Sequence, residues 1–308
     1  MFASSLVLAL VVGTWNGEWF PSGRAEHRAN DQVERATIRA AGQMLADGIS
    51  EVDPSGKEDI LLCLSEIRDL ETAQALCTAI GRTNLSVAVV TAYRRRDRFD
   101  QQQDVIMTTL PVAKANWSRW KVHKDAIPPR GYAHAEVVVS PAVTATVYAV
   151  HLKSNYGQTS EGIAQTNRLK RAYAIEQLVE QEKPKRGKFR APVIIAGDFN
   201  ADRFSKSFEK DTLFQTLLDA GFTDAFEGVP KDGRITHPGS SRHAGSTLDY
   251  IFMRGCGVES PPKVIPALRI SDHDAVFVKV SFPQSSPKNK VDDTRSPDAA
   301  DVSDAGKF

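Results

Sequence analysis

The chain has 308 residues, of which 41% are hydrophobic and 25% are charged, a composition that fits an ordinary globular protein with a large buried core. Lysine and arginine together number 39 against 38 aspartate and glutamate residues, which gives a formal net charge of +1. This balance excludes a broad electrostatic attraction of the whole molecule to nucleic acid or to anionic membranes, so any polyanion would have to bind at a local patch.

The apolar run at the start of the chain, MFASSLVLALVVG, has two interpretations. It is too short to span a bilayer, and it has the length of an export signal without the positively charged start. It also passes directly into Thr14-Trp15-Asn16, where cleavage would remove most of a strand. We therefore favour a buried first strand, Leu6–Trp15, over an export signal. The sequence does not decide between a cytoplasmic and an exported protein.

Short apolar runs then alternate with longer segments of helical period, which is typical of a layered α/β protein. Helical periodicity predicts one helix capped by Asn30 or Asp31 and a second one over Glu161–Lys183. The apolar runs predict further strands at Asp59–Leu64, Leu85–Ala92, Asp104–Leu110, Tyr132–Val139, Thr144–His151, Pro192–Ala196, Thr247–Met253 and Ala275–Phe282.

Four of these strands, between Leu85 and His151, follow one another without an intervening helix. Successive strands of this kind pair as antiparallel meanders, whereas the helical segments elsewhere would cover sheet faces. The sequence therefore predicts two mixed, largely antiparallel sheets that are packed together and flanked by helices.

Three features carry structural rather than chemical interpretations. The segments Tyr93–Asp100 and Lys183–Arg190 are basic connectors, read as solvated loops with contact to a phosphate backbone as the alternative. Residues 283–308 lack large apolar groups, so we expect a disordered tail after one domain over residues 1–282. The three cysteines lack the count and spacing of a disulfide framework or zinc site and are interpreted as packing residues: Cys63, Cys77 and Cys256.

Polar residues with metal-binding or proton-transfer chemistry stand at the ends of several predicted strands. Asp198 and Asn200 end one apolar run and, two residues apart, point the same way. Each such residue alone has a structural explanation, as a turn residue, a surface ion pair or a core histidine. The others are Asn16, Glu66, His151, Asp272 and His273.

Asp249 is harder to explain structurally, because it lies inside the apolar run Leu248-Asp249-Tyr250-Ile251-Phe252. A carboxylate that faces inward there needs a partner, since burying an unpaired charge is costly. Asp249 therefore predicts a specific buried contact.

Six segments, TWN, LSEI, HLKSN, GDFN, LDYIF and SDH, occur in the order found in the endonuclease/exonuclease/phosphatase family, which includes deoxyribonuclease I. They extend from Asn16 to His273, nearly the whole predicted domain, and the chain resembles this family. The resemblance implies a four-layer α/β/β/α sandwich, a divalent cation that is usually Mg²⁺ with Mn²⁺ as a possibility, and in-line hydrolysis of a phosphoester. Residues 1–282 would then be the catalytic domain.

The resemblance also implies a metal site. Glu66 would be the principal ligand, because Mg²⁺ prefers carboxylate and other oxygen ligands. Asn16 would contribute its carbonyl oxygen, and Asp272 would be the second acidic ligand. Glu18, two residues after Asn16, is an extra acid for which we favour a surface position over an approach to the metal.

The remaining family positions imply catalytic roles. Asp198 would deprotonate the attacking water, and Asn200 would donate hydrogen bonds to the phosphoryl oxygens. His273 would contact the scissile phosphate, with Asp249 holding its far ring nitrogen. His151 matches a histidine that deoxyribonuclease-like members place beside the phosphate.

The leading hypothesis is a nuclease for DNA or RNA. A phosphatase or phospholipase on the same scaffold, such as an inositol-phosphate phosphatase or a sphingomyelinase, is the alternative, and a non-catalytic binding protein is the third candidate. We expect a monomer with no stable protein partner and no membrane span. The sequence leaves open DNA against RNA, endo- against exonucleolytic cleavage, and the roles of Tyr93, Lys153 and Asn155.

Overall fold

The computed structural model describes residues 8–23, 30–95, 98–123, 126–155, 160–183, 192–239 and 244–283. The predicted disordered tail lies outside the described residues apart from Pro283. So do residues 1–7 of the first apolar run, residues 96 and 97 of the first basic segment, and residues 184–190 of the second.

Strands make up most of the regular structure in the described part of the chain. They are β1 (Leu8–Phe20), β2 (Asp59–Ile67), β3 (Ser86–Val90), β4 (Arg94–Arg95), β5 (Arg98–Phe99), β6 (Gln103–Thr108), β7 (Val112–Arg119), β8 (Gly131–Ser140), β9 (Val143–His151), β10 (Val193–Asp198), β11 (Thr223–Asp224), β12 (Asp249–Arg254), β13 (Gly257–Val258), β14 (Lys263–Ile265) and β15 (Ala275–Phe282). The helices are α1 (Asp31–Val52), α2 (Leu70–Ile80), α3 (Glu161–Gln181) and α4 (Leu213–Asp219).

The strands form two large sheets and one short ribbon. Sheet A has the order β13-β15-β1-β2-β6-β3, with β14 also paired to β15, and sheet B has the order β11-β12-β10-β9-β8-β7. β4 and β5 form the ribbon. The described pairs are antiparallel except β1 with β2 and β9 with β10. The prediction of two mixed, largely antiparallel sheets is confirmed.

The two sheets pack face to face through apolar side chains. Val12 and Cys63 of sheet A belong to the same buried cluster as Val147 and Ile194 of sheet B. Burying a Val, Leu, Ile or Phe side chain completely contributes about 1.5–3 kcal/mol relative to exposure. This apolar layer therefore holds one sheet against the other and fixes the relative position of their strand ends.

Helices cover the outer face of each sheet. Leu45 of α1 and Leu76 of α2 pack with Phe277 of sheet A in a second cluster, whereas Ile175 of α3 and Leu217 of α4 pack on sheet B. The four layers are α/β/β/α, as the resemblance implied. No helix within the described ranges is both long and apolar enough to cross a membrane.

The predicted helix starts are correct in detail. The Asn30 side chain accepts the Val33 N–H at 3.0 Å and caps α1. α3 begins at Glu161 as predicted, and the Ser160 hydroxyl caps it by accepting the Ile163 N–H. Side-chain acceptors at this position satisfy N–H groups that have no partner inside the helix.

The short strands β4, β5, β11, β13 and β14 were not predicted, nor were three longer elements, β7, α2 and α4. β7 is an exposed edge strand of small and polar residues, so it lacks the β-branched run that marks a strand. α4 has 7 residues, fewer than the window over which helical period is recognised, and α2 follows β2 after two residues. The cysteine interpretation is confirmed, because Cys63, Cys77 and Cys256 are free and pack on the apolar clusters.

Candidate active site

The topology brings polar strand ends from both sheets to one edge of the sandwich. In sheet B, Asp198 is the Cα partner of His151 on one side and of Asp249 on the other. In sheet A, Asn16 is paired with Ser65, next to Glu66. The two parallel pairs explain this placement, since parallel strands end at the same edge.

The backbone departs from regular strand geometry where these side chains emerge. Gly197 has φ +147°, and a Cβ at this position would lie 1.9 Å from the Val150 carbonyl oxygen, so only glycine lets β10 approach β9 here. Glu66, Asn200 and Glu18 have positive φ, and Glu18 lies in the bulge of β1. Such strained positions concentrate at functional sites.

Asp198 is buried and is held by three described N–H donors. Its Oδ2 accepts from Asn16 Nδ2 at 2.9 Å and from Asn200 Nδ2 at 2.7 Å, and its Oδ1 accepts from the Asn200 backbone N–H at 2.8 Å. Each carboxylate oxygen has two acceptor positions, so one lone pair of Oδ1 has no donor in the described part of the chain. Burial raises the pKa of Asp198 to about 7.

Asn200 was predicted to donate to the phosphoryl group, but its amide is engaged within the protein. Nδ2 donates to Asp198 and to the Leu152 carbonyl oxygen at 3.2 Å. Both amide hydrogens are thereby used. In this geometry Asn200 orients the Asp198 carboxylate and ties the end of β9 to that of β10.

Glu66 lies across the same pocket from Asp198. Its Oε2 accepts the Trp19 N–H at 3.0 Å, and its Oε1 lies 3.4 Å from Asn16 Nδ2 and 3.5 Å from His151 Nε2. His151 Nε2 is also 3.6 Å from Asp198 Oδ2. One amide and one imidazole therefore connect the carboxylates of the two sheets.

His151 is uncharged in this pocket. Burial, together with the nearby positive charges of Arg130 and Lys153, lowers the pKa of His151 well below its ordinary value. Its Nδ1 is buried and meets no hydrogen-bond partner in the described ranges. The nitrogen that faces the pocket is Nε2, beside Glu66 and Asp198, and through this atom the neutral ring can exchange a proton with a bound group.

His273 and Asp249 form the partnership that the buried charge of Asp249 predicted. His273 Nδ1 lies 2.7 Å from Asp249 Oδ2, and the Thr236 hydroxyl donates to the same oxygen at 2.8 Å. Burial alone would lower the pKa of His273, but the carboxylates of Asp249 and Asp198 raise it to about 10. The ring is an imidazolium at neutral pH, with Asp249 as its counter-ion.

Asp272 lies at the outer rim, where its side chain is 50% exposed. Its backbone N–H donates to Glu18 Oε2 at 3.0 Å, and burial with the charges of Asp272 and Glu66 raises the pKa of Glu18. Glu18 therefore belongs to the rim between Glu66 and Asp272. Glu18 is exposed, as we favoured from the sequence, and its surface position lies at the rim of the site.

The residues present fit a divalent cation of the Mg²⁺ class. Glu66 and Asp198 are both buried, and the Asn16 amide and the neutral His151 imidazole each lie within 3.6 Å of both carboxylates. Carboxylate and amide oxygens from Glu66, Asn16 and Asp272 are hard ligands, which Mg²⁺ prefers. Asn16 Oδ1 accepts the Glu18 N–H at 2.9 Å and keeps a second lone pair.

Asp104, Tyr93 and Arg130 also belong to the pocket, although they were not among the predicted site residues. Asp104 is fully buried, and its Oδ2 accepts the Tyr93 hydroxyl at 3.0 Å. Burial, with the charges of Glu66 and Asp198 adding to it, raises the pKa of Asp104 to about 8. Arg130 lies near Asp104 and has positive φ. In the sequence Asp104 stands at the start of an apolar run, directly after three glutamines, so it lacks the apolar residues on both sides that identified Asp249.

Asp104→Asn is expected to weaken the dependence of stability on pH. The folded protein keeps the Asp104 proton up to about pH 8, whereas the unfolded chain loses it near the ordinary pKa of 3.8. Unfolding between these values releases a proton, so stability falls as pH rises through this window. The variant lacks this contribution and keeps an acceptor for Tyr93.

Urea denaturation in EDTA at pH 5.5 and pH 8.5 measures the effect. The drop in unfolding free energy between the two buffers should be smaller in Asp104→Asn than in the original protein. Asp198 also contributes to the drop in unfolding free energy, but it does so in both proteins. The difference between the two drops therefore reports on Asp104. Equal drops would mean that Asp104 is ionised in the folded state throughout.

Lys153 and Asn155, which follow His151, have different surroundings. Arg171 of α3 is fully buried, is paired with Asp211 at 2.8 Å, and donates to the Lys153 carbonyl at 2.7 Å and to Asn155 Oδ1 at 3.2 Å. Asn155 is thus a structural contact of α3. The Lys153 ammonium is half-buried, and burial with the charge of Arg130 lowers its pKa, so it remains a candidate substrate contact.

Comparison with known protein families gives one match. The sequence profile of the Endonuclease/Exonuclease/phosphatase family matches residues 13–273, from the end of the first apolar run to His273. A search of curated proteins gave no match.

Solved structures with the same fold are distant in sequence. An endonuclease/exonuclease/phosphatase family protein from Leptotrichia buccalis is 16% identical, with a TM-score of 0.57 over 89% of this chain and 100% of its own. Humanised D. rerio TDP2 is 16% identical, with a TM-score of 0.59 over 88% and 98%. Sphingomyelinase C from Streptomyces griseocarneus is 17% identical, with a TM-score of 0.55 over 89% and 99%. These similarities support the fold.

Proposed function

The chain belongs to the endonuclease/exonuclease/phosphatase family, and we propose that it is a divalent-metal-dependent phosphodiesterase that cleaves nucleic acid. The observation that carries the proposal is the direct connection between the two sheets. Asn16 Nδ2 lies 2.9 Å from Asp198 and 3.4 Å from Glu66, and His151 Nε2 lies within 3.6 Å of both. A proton acceptor, oxygen ligands and a neutral imidazole thereby share one pocket.

Glu66, with the carbonyl oxygen of Asn16 and the carboxylate of Asp272, is the proposed metal-holding set. A bound divalent cation would neutralise charge on the phosphate and polarise its oxygen. Glu66 is fixed for this role because the Trp19 N–H holds its Oε2 at 3.0 Å and leaves Oε1 directed into the pocket. Side chains held in this way need no rearrangement before they bind an ion.

Asp198 is the proposed base. Its free Oδ1 lone pair can take a proton from a water, while Asn16 and Asn200 hold the carboxylate in place. A pKa near 7 suits proton transfer at neutral pH, because about half of the carboxylate is then in its basic, ionised form.

His273 and His151 carry complementary protonation states. The His273 imidazolium can donate from Nε2 to a phosphoryl oxygen as negative charge develops, while Asp249 holds Nδ1. His151 is neutral and lies beside the pocket carboxylates, where it can hold the oxygen that leaves phosphorus.

Two cations favour a polyanionic substrate despite a net charge of +1. Arg130 and Lys153 both lie close enough to His151 to affect its pKa, so two positive charges stand beside the cleft. Cationic side chains of this kind bind phosphates beside the one that is cleaved. One TDP2 structure of the same fold holds a single-stranded DNA product, which makes nucleic acid the first substrate to test. All proposed site residues come from one chain, so we propose that a monomer suffices.

A hydrolysis panel tests the function. Metal-free protein is incubated with double-stranded DNA, single-stranded DNA, RNA, an inositol phosphate and sphingomyelin, with Mg²⁺, Mn²⁺ or EDTA. We expect metal-dependent cleavage of at least one nucleic acid. Turnover confined to sphingomyelin or the inositol phosphate would replace the nuclease by the alternative hydrolase. No turnover of any substrate, nor of bis-p-nitrophenyl phosphate, would indicate a binding protein.

Glu66→Gln is the matched variant for this panel, because it keeps the size of the side chain and removes its charge. We expect the Mg²⁺ concentration for half-maximal rate to rise by about 10–100-fold, the scale on which loss of metal-site groups lowers affinity. An unchanged Mg²⁺ dependence would remove Glu66 from the metal site.

A further inference from the structure

A second cluster of metal-binding donors lies at the rim of the cleft. Asp272 Oδ2 is 3.7 Å from His237 Nε2, and Asp272 Oδ1 is 3.8 Å from His273 Nε2. One donor atom from each of the three residues lies within 4.8 Å of the other two. His237 is not among the site residues that the sequence predicted.

The backbone fixes His237 in this position. It exchanges two hydrogen bonds with Ser246, and the Asp274 N–H donates to the Thr236 carbonyl oxygen at 2.7 Å. The Thr236 hydroxyl donates to Asp249, the residue that also holds His273. The segment that carries His237 is therefore tied directly to the segments that carry the other two donors.

The orientation of His273 is that of a histidine that binds a metal. Its Nδ1 faces the Asp249 carboxylate, which leaves Nε2 directed towards Asp272 and His237. Metal-binding histidines almost always donate the other ring N–H to a carboxylate or carbonyl, which fixes the ring. An ion from solvent can reach these donors, since the side chains of His237 and Asp272 are 35% and 50% exposed.

The donor set differs in chemistry from the one around Glu66. Two imidazole nitrogens and one carboxylate oxygen favour Zn²⁺ and similar transition-metal ions over Mg²⁺, which prefers oxygen alone. Zn²⁺ bonds to nitrogen and oxygen are about 2.0–2.2 Å long, so donors roughly 3–4 Å apart suit one ion. We propose that His237, Asp272 and His273 form a second site for a Zn²⁺-class cation, which shares Asp272 with the Mg²⁺ set and has a fourth position open.

Occupancy of this site should inhibit the reaction. The ion would displace the proton of His273 Nε2 and bind that nitrogen, so that His273 could no longer donate a hydrogen bond to phosphate. It would also draw Asp272 away from the Mg²⁺ set. This consequence rests on the proposed function, whereas binding of the ion does not.

Zinc titration of the full chain tests binding without reference to activity. Metal-free protein is titrated with Zn²⁺ in excess Mg²⁺ against a chromophoric chelator, and His237→Asn is compared with the original protein. Loss of the His237 ligand should weaken Zn²⁺ binding at this site by at least about tenfold. Superimposed titrations of the two proteins would overturn the site.

His134→Asn is the matched control, because His134 is half-buried on β8 and its ring packs on Tyr148 at 5.0 Å. Its titration should coincide with that of the original protein, and an equal loss in both variants would contradict the assignment to His237. Melting temperatures verify folding, and His237→Gln repeats the measurement if His237→Asn is unfolded.

Inhibition is measured on whichever substrate is cleaved in Mg²⁺. The Zn²⁺ concentration for half-inhibition should be at least about tenfold higher in His237→Asn, in parallel with binding. Zinc that binds through His237 without inhibiting would overturn the inhibitory role. If no substrate is cleaved at all, the proposed function fails, while the binding result decides the zinc site by itself.

Discussion

Asp198→Asn is expected to lower kcat by about 10²- to 10⁴-fold, the range that a positioned general base contributes. The variant keeps the size of the side chain but has no proton acceptor at the position of the free Oδ1 lone pair. The measurement is the initial rate on the best substrate of the panel at saturating Mg²⁺, with the bound metal content determined in parallel.

The same change also disturbs hydrogen bonds, and a second variant separates the two effects. Three N–H groups face the Asp198 carboxylate, so an amide there brings one donor against another, at a cost of about 1–3 kcal/mol. Asp202→Asn is the matched control, since Asp202 is buried beyond the same strand end and accepts the Phe204 and Thr247 N–H groups. It should lose stability and keep most of its kcat. Equal loss of kcat in both variants would show that Asp198 acts only through the fold.

The polar strand ends, together with the family resemblance, predicted which residues meet, and the structure gives the geometric reason. A strand that ends on Asp198 must place it beside whatever its neighbours present at the same level. His151 and Asp249 stand at that level on both sides. The sequence carried this information because polar groups interrupt otherwise apolar runs, and a buried polar group needs a partner.

The direction of each side chain could not be predicted in the same way. Whether Asn200 faces the substrate or Asp198 depends on the Leu152 carbonyl, which is distant in sequence and adjacent only after β9 and β10 pair in parallel. Periodicity does not distinguish parallel from antiparallel partners, so this contact is invisible before the fold is known.

The rim residues depend on loops, and this is where the sequence predicted least. His237 reaches Asp272 because of a single bridge to Ser246, and Arg130 reaches the pocket from the turn before β8. Neither residue ends an apolar run, and loop conformation follows from tertiary contacts that have no local pattern. The same loop residues would determine which substrate is bound. The sequence therefore predicted the fold and the chemistry but not the substrate.

His273→Ala is expected to lower kcat by about 10²- to 10³-fold at every pH, the effect of removing one charge-stabilising donor. Asp249→Asn provides the matched test of the proposed protonation state. In the original protein the pKa of His273 is raised to about 10, so the ring stays protonated and the rate should not fall between pH 7 and pH 9 on its account. Without the Asp249 charge that pKa is lower, and the rate of the variant should fall as pH rises through it. An effect of His273→Ala below about threefold, far under that range, would place His273 outside the reaction. Coincident pH profiles would show that Asp249 does not set the charge of the ring.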